Sequence, residues 1–80
     1  MDKTLYSERH KKLAELLIER RKAAGLTQVE VAKKLGRHQP FIANIESGER
    51  RVDVVELLEL ADAIGFDPVE LIQSLLRTGE

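Results

Sequence analysis

Apolar residues recur at intervals of three and four along this 80-residue chain, and Val and Ile nowhere alternate with polar residues over a strand's length. That spacing is typical of helices that bury one face against a core. We therefore predict an all-α fold. A chain of this length builds one core at most, so we expect a single domain over residues 1–80.

Capping residues and glycines divide the apolar pattern into five helices. Thr27 with Glu30 and Asp53 with Glu56 have the spacing of a capping box, and Pro40 fits the first turn of a helix. Ala24 and Val55 are counted among the residues on the apolar faces. The chain is expected to be loose only in its first few residues and from Thr78 to Glu80. The other boundaries follow from Ser7 and Asp67 as starts and from Gly25, Gly36, Gly48 and Gly65 as ends.

The composition excludes several classes of protein. The chain has no Cys and its two His stand at 10 and 38, which excludes disulfides and argues against a zinc site. It has no Ser/His/acid set at informative spacing and no Gly-rich phosphate loop, so we expect no enzyme, no cofactor and no metal. Its apolar runs are too short for a membrane span, and MDKTLYSERHKK lacks a signal-peptide core, so a cytoplasmic protein is expected.

The net charge of −1 conceals an uneven distribution. Residues 1–52 carry twelve Lys or Arg against seven Asp or Glu, a net of +5, and residues 53–80 carry one against seven, a net of −6. Uneven scatter in a small protein is one explanation. A polyanionic partner for the first part explains the asymmetry better.

Two short predicted helices joined by a turn that contains Gly make a helix-turn-helix unit over about residues 27–46. Ala32, Gly36, Ile42 and Ile45, together with the stretches Leu26-Thr27-Gln28 and Ile45-Glu46-Ser47-Gly48, resemble the phage repressor (Cro/C1-type, xenobiotic-response-element) helix-turn-helix family over roughly residues 13–72. The alternative is a five-helix bundle with small and apolar residues at these positions by chance. The resemblance implies a lambda-repressor-like DNA-binding domain, with the helix-turn-helix on helices two and three.

In such proteins the first turn of the second helix of the unit enters the major groove and reads base edges. Gln39 matches the family's base-reading position, where a Gln amide can bond both N6 and N7 of adenine. Pro40 departs from the polar residue of many relatives and is expected to contact a thymine methyl group. Asn44, one turn on, is the second expected reader. His38 either caps the helix or reaches a phosphate or base.

The resemblance also implies phosphate contacts and an ion pair. Gln28 matches a phosphate-contact position at the start of the second helix, and the further expected contacts are Arg37, Arg50 and Arg51. Arg21 and Glu46 match a structural ion pair of the family, with an exposed Glu46 as the alternative. Lys33 and Lys34 are read as contacts or as a solvated face. The cluster Arg9, His10, Lys11 and Lys12 is read as a weaker contact, or as partners of Glu8 and Glu15.

The last two helices, within residues 53–77, carry more apolar residues than one buried stripe each needs. Relatives bind as two-fold dimers to half-sites about 34 Å apart. We therefore expect a homodimer on a palindromic operator, with Leu71, Leu75 and Leu76 at the interface. The alternative is that the small core uses all of these residues.

The function expected from the sequence is sequence-specific binding of double-stranded DNA by a small dimeric transcriptional regulator of bacterial or phage origin, active in the cytoplasm at the nucleoid. A repressor is the default because repression needs only binding. The alternatives are an antitoxin or another protein-interaction module with a protein partner, and a restriction-modification controller.

Overall fold

The computed structural model describes residues 7–79, which form five α-helices and no β-strand. The helices are α1 (Glu8–Ala23), α2 (Gln28–Lys34), α3 (Gln39–Glu46), α4 (Val54–Ile64) and α5 (Pro68–Arg77). The predicted all-α, five-helix architecture is confirmed. The expected looseness of the first few residues and of Glu80 concerns parts of the chain outside the described residues.

Side-chain caps begin four of the helices. The Ser7 hydroxyl accepts a hydrogen bond from the His10 amide at 3.1 Å, and the Asp67 carboxylate accepts one from the Val69 amide at 2.9 Å. Both predicted capping boxes are present: α2 begins with Thr27 and Glu30, and α4 with Asp53 and Glu56. Each cap pairs backbone N–H groups that the first turn of a helix leaves without a partner.

The turn between α2 and α3 depends on Gly36, whose φ of 68° lies in the left-handed region. The Gly36 amide donates to the Lys33 carbonyl at 3.1 Å, and the Arg37 amide donates to the Ala32 carbonyl at 2.8 Å. These two bonds form a Schellman motif, which closes α2 and fixes the direction of the chain before α3.

A single apolar cluster joins all five helices. Side chains from α1 and from the α2–α3 pair meet those of α4 and α5, and α3 packs against both α1 and α2. Ala32 is almost fully buried, which fits the need for a small residue where the two helices of the unit cross. The buried members of the cluster are Leu16, Leu17, Val31, Ala32, Ile42, Ile45, Leu57, Leu60 and Leu71.

Three sequence-based expectations are wrong. Ala24 is exposed because it is the C-cap of α1, where the chain already leaves the helix. Val55 is 65% exposed because α4 turns Leu57, Leu60 and Ala61 toward the core instead. Thr78 is tied down rather than loose, since its hydroxyl donates to the Ser74 carbonyl at 3.0 Å.

None of the helices within residues 7–79 is both long and apolar enough to cross a membrane.

Candidate nucleic-acid interface

Helix α3 has two different faces. Ile42 and Ile45 are buried in the core, while Gln39, Pro40 and Asn44 are exposed on the other side. His38 occupies the N-cap position, but its side chain makes no capping hydrogen bond and is exposed. The structure therefore brings the four expected base-reading residues to one exposed surface and does not realise the capping alternative for His38.

Behind this surface lies a nearly buried ion pair. Arg21 Nε donates to Glu46 Oε2 at 2.6 Å and Arg21 Nη2 donates to Glu46 Oε1 at 2.9 Å, while Nη1 donates to the Leu26 carbonyl at 2.9 Å. The two side chains are only 12% and 8% exposed. These hydrogen bonds from Arg21 to Glu46 raise the pKa of the arginine. The pair joins α1 to the end of α3, and the alternative of an exposed Glu46 is not observed.

The ion pair continues into two amide side chains, which together form what we call the polar relay: Arg21, Glu46, Gln28 and Gln39. Gln28 Nε2 donates to Glu46 Oε1 at 2.8 Å, and Gln39 Nε2 donates to Gln28 Oε1 at 2.7 Å. A carboxylate paired with Arg only accepts, so Gln28 must turn its NH₂ group toward Glu46 and its oxygen toward Gln39. Gln39 is then left with a free Oε1 acceptor and one free N–H donor.

Gln28 thus has a role that the sequence did not predict. Its amide oxygen and one N–H are used within the protein, so the side chain can offer a phosphate only the second N–H of Nε2, beside the backbone N–H at the start of α2. The sequence carries no signal for this contact, because nothing in the spacing of Gln28 and Gln39 along the chain indicates that their side chains meet.

A second group, the Phe41 cluster, consists of Arg37, Phe41, Arg50 and Glu56. The guanidinium carbons of Arg37 and Arg50 lie 4.3 Å and 4.6 Å from the centre of the Phe41 ring, within the range of cation–π interactions. Arg50 also makes a bidentate pair with Glu56, at 3.0 Å from Nη1 and 2.7 Å from Nη2. The hydrogen bonds from Arg50 lower the pKa of Glu56 to about 2.

Arg50 Nη1 also donates to the Arg51 carbonyl at 2.8 Å. Most of the N–H groups of the Arg50 guanidinium are therefore hydrogen-bonded within the fold. Its expected phosphate contact is limited to Nε–H and one N–H of Nη2. Arg37, by contrast, forms no salt bridge with a carboxylate among residues 7–79 and is exposed. Arg51 is exposed as well, and so are Lys33 and Lys34 on α2.

The basic residues at the start of α1 are mostly engaged in the fold. Arg9 Nε donates to the carbonyls of Leu75 and Thr78 at 3.0 and 2.9 Å, which pairs the open end of α5. His10 Nε2 lies 2.9 Å from the Gly48 carbonyl, just after α3. Within residues 7–79, Lys11 is the member of this cluster that forms an expected salt bridge, with Glu8 at 4.0 Å. Arg9 and His10 thus connect the start of α1 to residues far away in the sequence. These structural roles were not predicted.

On α5, one of the three expected dimer contacts, Leu71, is wrong. Leu71 is fully buried within the monomer at 0% exposure, so its side chain cannot meet a partner, and Leu75 is half-buried against the core. Leu76 is 56% exposed and shares its side of α5 with the exposed Val69 and Ile72.

Comparison with known proteins is consistent with this geometry. A family model described as a helix-turn-helix domain matches residues 12–73. An XRE-family like protein from Pseudomonas syringae has 44% identity and a TM-score of 0.84, over 92% of this chain and 90% of that one. The restriction-modification controller protein C.AhdI from Aeromonas hydrophila has 35% identity and a TM-score of 0.72, over 78% of this chain and 90% of that one.

A curated relative, an uncharacterized HTH-type transcriptional regulator of Sinorhizobium fredii, is 42% identical over 52 residues, which cover 65% of this chain and 68% of the relative. The resemblance inferred from the sequence motifs is confirmed. The chain belongs to the helix-turn-helix domain family, in its Cro/C1-type, xenobiotic-response-element branch.

Proposed function

We propose that this protein is a sequence-specific regulator of transcription that binds double-stranded DNA as a homodimer. The observation that carries the proposal is the exposed first turn of α3, where Gln39 is held by the polar relay with one acceptor and one donor free. Family membership supports a binding function of this kind rather than catalysis. Such a regulator works where chromosomal DNA is accessible, at the nucleoid in the cytoplasm.

Gln39 is proposed to read adenine. In the major groove adenine presents N6–H as a donor and N7 as an acceptor, which match the free Oε1 and N–H of the Gln39 amide. A bidentate contact of this kind discriminates against a wrong base by about 1–3 kcal/mol. Asn44 and His38 are proposed as further polar contacts, and Pro40 as an apolar contact to a thymine methyl group.

Phosphate contacts are proposed around the same surface. Arg37 and Arg51 flank α3 with exposed guanidinium groups, and Gln28 and Arg50 contribute the N–H groups that the fold leaves unused. Such contacts set the register of the protein on DNA and make the affinity depend on salt.

The dimer interface is proposed on the outer side of α5. Leu76, Val69 and Ile72 form an exposed apolar surface there, with the half-buried Leu75 beside it. A two-fold dimer would present two α3 helices to half-sites about 34 Å apart, so the operator is expected to be palindromic. Repression is the default mode of action, because it requires only that the operator be occupied.

A restriction-modification controller is the second candidate, favoured by the 35% identity and 90% coverage of the controller protein C.AhdI. It differs from a general repressor in its target, which would be the promoter of a neighbouring methyltransferase or endonuclease gene. Binding of the protein to such a promoter would favour the controller. The absence of a methyltransferase or endonuclease gene nearby would favour the general repressor.

The proposed function is tested by selecting binding sites from random duplex DNA. The wild type is compared with Gln39→Ala, and with Glu59→Ala as a control, since Glu59 is exposed on α4, outside the proposed DNA-binding surface and the proposed interface on α5. We expect a palindrome from the wild type and the control, and loss of preference at one symmetric pair of positions from Gln39→Ala. Failure to enrich any sequence at low salt would contradict the proposal and favour a protein-interaction role on the same fold.

A further inference from the structure

We propose that Phe41 is a positioning residue for DNA affinity: its ring holds the Arg37 guanidinium in place before DNA arrives, so that Arg37 meets a backbone phosphate already ordered. This inference rests on the proposed function. It assigns to Phe41, which is half-buried against the core, a task in binding as well as in packing.

The backbone of Arg37 is fixed independently of the ring. Its amide donates to the Ala32 carbonyl at 2.8 Å in the Schellman motif that closes α2. Its side chain is exposed and forms no salt bridge within residues 7–79. The contact that orients its guanidinium is the Phe41 ring, whose centre lies 4.3 Å from the guanidinium carbon.

Arg50 also contacts the ring, at 4.6 Å, but does not depend on it. Its bidentate pair with Glu56 holds Arg50 on the protein and neutralises its charge. Arg37 lies near enough to Glu56 to help lower the pKa of that carboxylate, but it forms no salt bridge with it, so the N–H groups of its guanidinium remain available for an outside anion. Loss of the ring is therefore expected to free Arg37 and to leave Arg50 in place.

An arginine that is ordered before binding loses less conformational entropy on contact with phosphate. Without preorganisation, this rotamer-rich side chain must be ordered when DNA binds, which corresponds to about a two- to tenfold loss of affinity per half-site. Planar stacking on an aromatic ring also leaves the N–H edge of a guanidinium open to a phosphate oxygen. A lysine ammonium can also lie over a ring, but it has no planar face to stack flat on Phe41 and no fork of N–H groups to present at its edge.

The test is a double-mutant cycle on affinity for the selected operator, with Phe41→Leu, Arg37→Ala and the two combined. We expect Phe41→Leu to weaken binding about two- to tenfold per half-site in the wild-type background and to have almost no effect when Arg37 is already Ala. The matched control is Phe66→Leu, because Phe66 is also half-buried against the core but lies outside the helix-turn-helix unit. Its effect should be the same in both backgrounds.

The salt dependence gives a second readout. Arg37→Ala removes a phosphate contact and should reduce the slope of log affinity against log salt by about 0.9 per protomer, whereas Phe41→Leu keeps the charge and should leave the slope nearly unchanged. An equal effect of Phe41→Leu in both backgrounds would overturn the inference while the proposed function stands. Absence of salt-dependent, sequence-specific binding by the wild type would contradict the proposed function itself.

Discussion

The Arg21–Glu46 ion pair allows a quantitative prediction about stability. An 80-residue protein has a free energy of unfolding of about 4–12 kcal/mol. Removing one partner of a buried ion pair costs about 3–5 kcal/mol, because the other charge stays buried without compensation. With side chains only 12% and 8% exposed, this pair belongs to that class. We therefore expect Glu46→Leu to lower the free energy of unfolding by about 3–5 kcal/mol.

The double variant Arg21→Met/Glu46→Leu separates this cost from the value of the pair itself. Replacing both charged groups with apolar side chains removes the uncompensated charge, so the double variant should be more stable than Glu46→Leu alone by about 1–3 kcal/mol. Full recovery is not expected, since Gln28 and the Leu26 carbonyl lose hydrogen-bond partners.

The assay is urea denaturation followed by circular dichroism, with all variants at one protein concentration because the proposed dimerisation would make apparent stability depend on concentration. Glu19→Leu is the control: Glu19 lies 3.6 Å from Arg20 but is 62% exposed, and its loss should cost less than about 1 kcal/mol. If Glu46→Leu cost no more than this control, the assignment of a stabilising buried pair would be wrong.

Three further predictions concern other parts of the fold. Glu56 has a pKa of about 2 against 4.5 ordinarily, so it should add about 1–2 kcal/mol of stability above pH 4.5, after allowance for solvent screening, and this contribution is lost as the pH falls toward 2. In urea denaturation across this pH range, Glu56→Gln should therefore lose less stability on acidification than the wild type. Equal losses in the two proteins would refute the prediction. Gly36→Ala should cost about 1–2 kcal/mol by urea denaturation through its positive φ alone, since nothing crowds the added methyl group; a cost below about 0.5 kcal/mol would contradict this. Leu71→Ala should lower the free energy of unfolding by about 2–5 kcal/mol. Leu76→Glu should leave helix content unchanged and convert the proposed dimer to a monomer in analytical ultracentrifugation, and an unchanged mass would remove Leu76 from the proposed interface.

The helix boundaries were accessible from the sequence because they depend on local chemistry. A Thr or Asp cap and a Glu three residues later satisfy the same backbone groups in any context, and both predicted capping boxes are present. Burial of Ile42 and Ile45 likewise follows from helical spacing. Val55 shows the limit of such reasoning, because periodicity alone did not define which side of α4 faces the core.

The long-range polar contacts could not be predicted in this way. Arg9 reaches carbonyl groups at the end of α5, 66 and 69 residues away, and His10 reaches the Gly48 carbonyl. Arginines look alike in a sequence, yet Arg50 is held by Glu56 while Arg37 forms no salt bridge with a carboxylate among residues 7–79. Which charge is neutralised depends on how the helices pack, and this is decided only by the whole fold.

Stability alone does not explain a carboxylate at position 46, because a well-packed apolar pair can be equally stable at a buried site. The polar relay supplies a further reason under the proposed function. An amide at this position could either donate to Gln28 or accept from it, and Gln39 could then face the DNA in either orientation. Glu46 only accepts, so Gln28 and Gln39 each have one favoured orientation. The charge that joins α1 to α3 thereby determines which hydrogen-bonding groups Gln39 presents to a base.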